Sequence, residues 1–176
     1  GFEKMGYAAV VTRDPHEIEA APGVVLPGVG AFAACMNGLA ECDLVDTVYR
    51  VVEQGTPLLG ICVGMQILFS EGLEFGRVRG LDILQGQVIR FNPAQVGGGK
   101  IPHMGWNQLQ IRRRTPHLDG IHNGATVYFV HSYHPVPDDP AIIATTTDYG
   151  GTEFVSSVWQ RNIFATQFHP EKSQRI

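Results

Sequence analysis

Gly60-Ile61-Cys62-Val63-Gly64 stands between two short apolar runs, residues 56–59 and residues 67–69. The first run has the length of a buried strand and the second continues naturally into a helix, so the sequence predicts a strand, a tight turn and a helix. A glycine two residues before and two residues after the cysteine allows the turn to close sharply. The side chain of Cys62 would then stand out at the top of a sheet, as the serine does in a nucleophile elbow.

Cys62 is therefore a candidate nucleophile at the start of the predicted helix. The positive end of a helix dipole and free backbone N–H groups both favour a thiolate over a thiol. The alternative is a buried cysteine that packs after a core strand, because glycine-flanked cysteines also occur for packing alone. The motif by itself leaves both interpretations open.

A histidine and a glutamate follow the last predicted strand, residues 163–168, and Pro170 ends that strand directly after His169. A cysteine nucleophile needs a base within hydrogen-bond reach, and the base needs a third group that fixes its tautomer. We expect His169 to be the base and Glu171 the third group. Either residue alone would be interpreted as structural or solvated, and it is their combination with Cys62 that favours catalysis.

Length and composition favour one domain, residues 1–176. With 176 residues, of which 44% are hydrophobic, the chain can bury a complete core. The formal net charge of −4 argues against nucleic acid or an anionic membrane as the main partner. The three cysteines lack C-x-x-C spacing, which favours a reduced, cytoplasmic protein without a disulfide framework. No stretch has the apolar length that a membrane span needs.

Two histidines, His131 and His134, have a spacing that could suggest a metal site. In an alternating strand, residues three apart face opposite sides of the sheet. We therefore interpret both as structural and expect neither a metal nor another cofactor.

The order of the predicted elements indicates an α/β fold. Strands and helices alternate in the first half, which predicts a largely parallel sheet with both faces covered. The second half is mostly strand, so some strands there must pair antiparallel. The predicted helices are residues 14–20, 31–39 and 44–53. The further predicted strands are residues 8–12, 24–26, 88–91, 107–111, 126–130, 141–146 and 154–159.

With Pro27-Gly28-Val29-Gly30, the cysteine elbow and His169-Pro170-Glu171 in this order, the sequence resembles the class I (triad-type) glutamine amidotransferases. The resemblance implies a flavodoxin-like three-layer fold and hydrolysis of glutamine to glutamate and ammonia through a glutamyl thioester. Residues 26–32, 101–107 and 128–133 are similar to the glutaminase subunits of imidazole glycerol phosphate synthases, enzymes of histidine biosynthesis. That similarity implies a cyclase partner, a (β/α)8 barrel that receives the ammonia.

The resemblance also implies roles for individual residues. Cys62, His169 and Glu171 would form the catalytic triad. The oxyanion hole would use the backbone N–H of Val63 and one from Val29 or Gly30. The glutamine-binding residues would be Gly28, Gln66, Glu74, Ser132 and Tyr133. The face toward the cyclase would contain Pro102, Met104, Trp106 and Asn107, although from sequence alone Trp106 would be assigned to the core, and Gln66 and Glu74 to the surface.

Family members usually begin with a further strand and a glycine-rich turn before the helix end that we predict at residues 1–6. They also finish with a helix, which would begin here near residues 172–176. We therefore expect the sequence to be a fragment truncated at both ends. Three other interpretations remain open: a glutaminase of another synthase, a free-standing cysteine hydrolase, and a flavodoxin-like binding domain in which Cys62 is a redox-sensing thiol.

Overall fold

The computed structural model describes residues 2–173, and within them it contains four α-helices and twelve strands. The helices are α1 (Pro15–Glu19), α2 (Phe32–Glu41), α3 (Val45–Glu53) and α4 (Val63–Gln66). The strands are β1 (Val24–Gly28), β2 (Leu58–Cys62), β3 (Phe69–Gly72), β4 (Val78–Arg79), β5 (Leu84–Arg90), β6 (His103–Gln108), β7 (Gln110–Ile111), β8 (Thr126–His131), β9 (Tyr133–Pro137), β10 (Ile143–Tyr149), β11 (Thr152–Gln160) and β12 (Ile163–Thr166). Short 3₁₀ turns cover Phe2–Met5, Pro116–Leu118, Pro140–Ile142 and Pro170–Lys172.

Six strands form the main sheet in the order β1-β2-β12-β11-β10-β7. β1, β2 and β12 are parallel, while the pairs β12–β11, β11–β10 and β10–β7 are antiparallel. Gly28 of β1 lies opposite Cys62 of β2, and Thr166 of β12 lies opposite Ile61. Since carboxyl ends of parallel strands meet at one edge, the segments after β1, β2 and β12 lie side by side.

Two smaller sheets complete the described part of the fold. One has the order β4-β3-β5-β9, and the other pairs β6 with β8 in antiparallel orientation. The main core lies between the helices and the parallel strands, with Val51, Leu58, Met65 and Leu68 among its buried members. A second cluster, around Phe91, joins the smaller sheets to β11. These clusters fix β6, β8 and β9 beside the elbow.

Local sequence signals explain the first helices. The Asp14 carboxylate accepts a hydrogen bond from the backbone N–H of His16, and Pro15 occupies the first turn, so α1 begins where the cap predicts. Helix α3 buries Thr47, Val48 and Val51 on one face, as its amphipathic spacing requires. No helix among residues 2–173 has the length and apolar character needed to cross a membrane.

Several predicted boundaries are wrong. Residues 8–12 form no strand, because they pair with no strand of the described chain, and residues 8–11 are exposed. The helix after the elbow ends at Gln66, and Phe69 already starts β3. Residues 107–111 split at Leu109 between two sheets. The strand predicted at residues 141–146 begins with a 3₁₀ turn. Residues 174–176, where a final helix was expected, lie outside the described residues.

Candidate active site

Cys62 occupies the turn between β2 and α4 with φ 56° and ψ −114°. A non-glycine residue rarely adopts this left-handed backbone conformation, and such strain is typical of a nucleophile elbow. The elbow packs so closely against β1 that each of the two segments needs a glycine at the contact, Gly64 in the elbow and Gly28 in β1. A Cβ at Gly64 would overlap the Leu26 carbonyl oxygen, and one at Gly28 would lie 2.5 Å from the Gly64 nitrogen. The turn predicted from the glycine spacing is confirmed.

The Cys62 thiol is only 4% exposed. Burial raises the pKa of this thiol to about 11; the Val63 N–H opposes the rise, the charge of Glu171 adds to it and that of Lys172 opposes it. The expected thiolate is therefore wrong for the free chain, because desolvation by burial is the largest influence on this pKa and raises it. A thiol with this pKa needs a base to become a nucleophile at neutral pH.

The sequence predicts that His169 directly follows the last strand. In the structure β12 ends at Thr166, so His169 lies three residues beyond it. Its backbone N–H donates to the Tyr128 carbonyl at 2.9 Å, and its carbonyl accepts from the Ser173 hydroxyl at 2.7 Å. The Ser173 hydroxyl in turn accepts from the Tyr128 N–H at 3.0 Å. These three bonds fix the backbone of the histidine against β8.

The imidazole of His169 pairs with the Glu171 carboxylate through Nδ1, at 2.7 Å. The carboxylate is an acceptor, so the neutral histidine carries its proton on Nδ1 and leaves Nε2 as the basic atom. Nε2 is buried and has no hydrogen-bond partner among the described residues. This is the tautomer that a general base requires.

The structure brings the elbow and the histidine segment together through Gln167, which sequence reasoning missed. Its side-chain N–H donates to Cys62 Sγ at 3.7 Å, and its carbonyl oxygen accepts from Gln66 at 2.9 Å. Within residues 2–173 no hydrogen bond joins Cys62 directly to His169. Gln167 is fully buried, and a polar residue in an apolar strand, two positions before the histidine, was the available signal.

Gln66 is buried, so its assignment to the surface from sequence alone is wrong. Its amide also donates to the Tyr133 carbonyl at 3.0 Å. The preceding carbonyl, that of Ser132, accepts from the Phe91 N–H at 3.0 Å. The backbone of Ser132 and Tyr133 is therefore fixed beside the elbow helix, although neither side chain is fully buried.

The Val29–Gly30 segment follows β1 toward α2. Gly30 has φ +90°, which favours glycine, whereas Val29 is 76% exposed. The Cys35 thiol on α2 donates to the Val29 carbonyl at 3.4 Å. Glu74 accepts from the Phe32 N–H at 2.8 Å, at the first turn of the same helix. The first contact holds the Val29–Gly30 segment against α2, and the second places Glu74 at the N-terminus of the same helix.

Strand β6 carries the residues expected to face a partner. Met104 is 63% exposed and Trp106 is 49% exposed, so the assignment of Trp106 to the core from sequence alone is wrong. Pro102 is exposed directly before the strand. Asn107 donates to the Asp148 carbonyl at 2.7 Å. Within residues 2–173, no three side chains with metal-binding groups converge.

A family model described as glutamine amidotransferase class-I matches residues 4–176. The chain belongs to the class I glutamine amidotransferases. Two relatives named imidazole glycerol phosphate synthase subunit HisH, from Geobacter sulfurreducens and Pyrococcus furiosus, are 52% and 48% identical to it. They align with 100% and 98% of this chain, which spans 85% of the length of each.

Solved structures resemble the chain in fold. A crystal structure described as that of a glutamine amidotransferase has a TM-score of 0.68 at 21% identity, over 97% of this chain and 82% of its own. A glutamine amidotransferase from Thermotoga maritima has a TM-score of 0.64 at 16% identity, over 94% and 60%. The predicted α/β class I amidotransferase fold is confirmed, and the parallel pairs among the described strands are β1–β2, β2–β12 and β3–β5.

Proposed function

We propose that this chain is the glutaminase subunit of an imidazole glycerol phosphate synthase and supplies ammonia for histidine biosynthesis. Half of its residues are identical to those of relatives with that name. The observation that carries the chemistry is the strained, buried Cys62, hydrogen-bonded to Gln167 two residues before His169. The Nδ1 of that histidine is bonded to Glu171, and its buried Nε2 has no partner among the described residues. Residues 1–176 act as one glutaminase domain in the cytoplasm, without a cofactor, a membrane or nucleic acid.

The reaction begins when His169 Nε2 takes the proton of Cys62 and the sulfur attacks the side-chain amide carbon of glutamine. The Val63 N–H and one N–H from Val29 or Gly30 stabilise the negative oxygen that forms. His169 then gives the proton to the leaving nitrogen, so ammonia departs and a glutamyl thioester remains. Water, deprotonated by His169, hydrolyses the thioester to glutamate and restores the thiol, while Glu171 stabilises the imidazolium at each stage.

The substrate lies between the elbow and β9 in this proposal. Gly28 lies opposite Cys62, and its lack of a side chain lets it pack against the backbone of the elbow. Gln66 and Glu74 hold the amino-acid end of glutamine, and the backbone of Ser132 and Tyr133 lines the pocket. Both hydrogens of the Gln66 amide nitrogen are used within the protein, so its side-chain carbonyl oxygen and the carboxylate of Glu74 supply two acceptors suited to the ammonium of the substrate.

The partner is the cyclase subunit, a (β/α)8 barrel that uses the ammonia. Pro102, Met104 and Trp106 form its docking face, while Asn107, also expected there from the sequence, lies on the opposite face of β6. Exposed apolar side chains such as Met104 and Trp106 are costly in water, and they are typical of the core of a protein interface. Trp106 packs against Tyr128 with ring centroids 5.8 Å apart, which keeps it fixed for docking.

Glutamate release from glutamine, measured with and without the cyclase, tests this proposal. We expect the cyclase with its ligand bound to raise kcat far more than it lowers KM, because an oxyanion donor acts mainly in the transition state. Equal activity without the cyclase would indicate a free-standing hydrolase. Activation only by a different synthase would make the chain its glutaminase, and a reversible disulfide at Cys62 without any glutamate release would indicate a redox sensor.

A second prediction concerns Cys35, whose thiol holds the Val29 carbonyl toward α2. If the oxyanion donor comes from this segment, Cys35→Ala frees the peptide to rotate and raises hydrolysis in the absence of the cyclase. Cys35→Ser provides a stronger donor and lowers it. We expect changes of about two- to threefold, since a thiol is a weak donor. Steady-state kinetics without the cyclase measure both.

Cys42→Ala is the matched control, because Cys42 lies at the other end of α2. It should leave the rate without the cyclase unchanged. Alanine and serine at position 35 shifting the rate in the same direction would contradict a role for the hydrogen bond. Gly28 is unsuitable for such a test, since a Cβ there would collide with the backbone of the elbow itself.

A further inference from the structure

We propose that His103 and His131 are positioning residues that fix Gln66 and the thiol of Cys62 through a directed chain of hydrogen bonds, and so link the glutamine pocket to strand β6. The chain runs from the inner face of β6 to the nucleophile. This inference rests on the proposed glutaminase function, in which Gln66 holds the substrate.

The Tyr133 carbonyl sets the direction of the chain. This oxygen accepts from His131 Nδ1 at 2.9 Å and from the Gln66 amide at 3.0 Å, so each of its two lone pairs has a donor. A carbonyl cannot donate, and His131 therefore carries its proton on Nδ1. In the neutral ring Nε2 is then an acceptor.

His103 must supply the proton for that acceptor. Its Nδ1 lies 3.1 Å from His131 Nε2, so Nδ1 of His103 is protonated and donates. His103 Nε2 is then left as an acceptor, 3.3 Å from the Asn107 amide nitrogen, which donates to it. The same amide nitrogen donates its second hydrogen to the Asp148 carbonyl at 2.7 Å. One backbone carbonyl thus determines both tautomers.

On the other side of Tyr133 the chain continues to the sulfur. The second hydrogen of the Gln66 amide goes to the Gln167 carbonyl oxygen at 2.9 Å. Gln167 uses its own amide to donate to Cys62 Sγ at 3.7 Å. The donor and the acceptor are fixed in every hydrogen bond of this series, so a change at one end alters the geometry of the next hydrogen bond.

The histidines are held neutral and in place by an aromatic cluster. His103 stacks between Tyr149 and Phe129, with ring centroids 4.1 Å and 4.8 Å away. Burial lowers the pKa of His103 to about 4 and that of His131 well below its ordinary value. Both rings are therefore neutral at pH 7, as the donor and acceptor order of the chain requires.

The outer end of the chain belongs to the strand that faces the proposed partner. Along β6, His103 and Asn107 lie on one face, and Met104 and Trp106 on the other. The second face is exposed. A displacement of β6 on docking would therefore shift the Tyr133 carbonyl and Gln66, because the rings of His103 and His131 connect them and have one hydrogen-bonding arrangement.

A matched pair of variants tests the proposal in the full complex with the cyclase. His131→Phe breaks the chain of hydrogen bonds, while His134→Phe makes the same substitution in the same aromatic cluster without touching that chain. His134 is as buried as His131 and also packs against Phe91 and Phe154. Its one hydrogen bond to a described residue is to the Pro135 carbonyl, at 3.4 Å. We expect His131→Phe to raise KM for glutamine about fivefold to tenfold, the cost of one lost hydrogen bond, with a smaller change in kcat. His134→Phe should change KM less than about twofold.

Two further variants separate positioning from packing. His131→Asn keeps a donor near the position of Nδ1 and should recover part of the KM. His103→Phe keeps the stacking but removes the donor to His131, and the double variant His103→Phe/His131→Phe should be no worse than the worse single variant, because both cut one chain. Equal KM effects at His131 and His134, or additive effects at His103 and His131, would overturn the proposal.

The outcome is distinguishable from failure of the proposed function. If the unmodified complex does not hydrolyse glutamine, the function itself is wrong. If it does, and His131→Phe binds glutamine as well as the parent at an unchanged melting temperature, only the chain of hydrogen bonds is refuted. If His131→Phe does not fold, His103→Phe and His131→Asn decide the question by the same KM comparison.

Discussion

Replacing Cys62 by alanine lowers kcat for glutamine by on the order of 10⁶, the size expected when the nucleophile of a triad is removed. The backbone at this position is already strained, with φ 56°, and alanine adopts that conformation no less easily than cysteine. The side chain is small and buried, so the fold and the docking face on β6 should be retained. Glutamate release by the complex, in excess glutamine, measures the loss.

The control uses the other half of the complex. A cyclase supplied with free ammonia does not need the thioester, so the Cys62→Ala complex should make product from ammonia at the parent rate. Mass spectrometry should detect a glutamyl adduct on the parent chain and none on the variant. Glutamine hydrolysis in the alanine variant at a rate near that of the parent would rule out covalent catalysis by Cys62.

The elbow could be predicted because its determinants are local. Gly60 and Gly64 each stand two residues from the cysteine, and Gly28 is brought opposite Cys62 by the pairing of two parallel strands from the first half of the chain. The strand at residues 8–12 could not be predicted correctly, because a strand exists only with a partner to share its hydrogen bonds. Alternation and β-branched residues indicate a capacity to form a strand, and they do not supply that partner.

The remaining differences at the site are long-range effects. The pKa of Cys62 depends on burial by segments distant in sequence, which the motif alone does not reveal. The role of Gln167 could not be predicted, because its partners Gln66 and Cys62 are about a hundred residues away in the sequence and only the fold brings them together. Sequence patterns predict the chemistry of individual side chains, whereas their protonation depends on what the fold places around them.

His169 and Glu171 should differ in importance, although both belong to the triad. His169→Gln removes the base and should lower kcat by on the order of 10⁶, as loss of the nucleophile does. Glu171→Gln should cost at most on the order of 10⁴, the size seen when the third member of a triad is lost. The Glu171 side chain is 40% exposed, so solvent screens part of its charge, and an exposed glutamine can turn its carbonyl oxygen toward Nδ1.

Kinetics of the full complex with each variant test this order, and thermal unfolding checks that the backbone around His169 is intact. The bonds to Tyr128 and Ser173 involve only the main chain of His169, so neither substitution should disturb them. Equal losses at both positions would mean that Glu171 acts on the transition state beyond orienting the imidazole. Full activity in Glu171→Gln would mean that the protein does not need a carboxylate here, since the backbone bonds and burial of His169 would then suffice to select the tautomer.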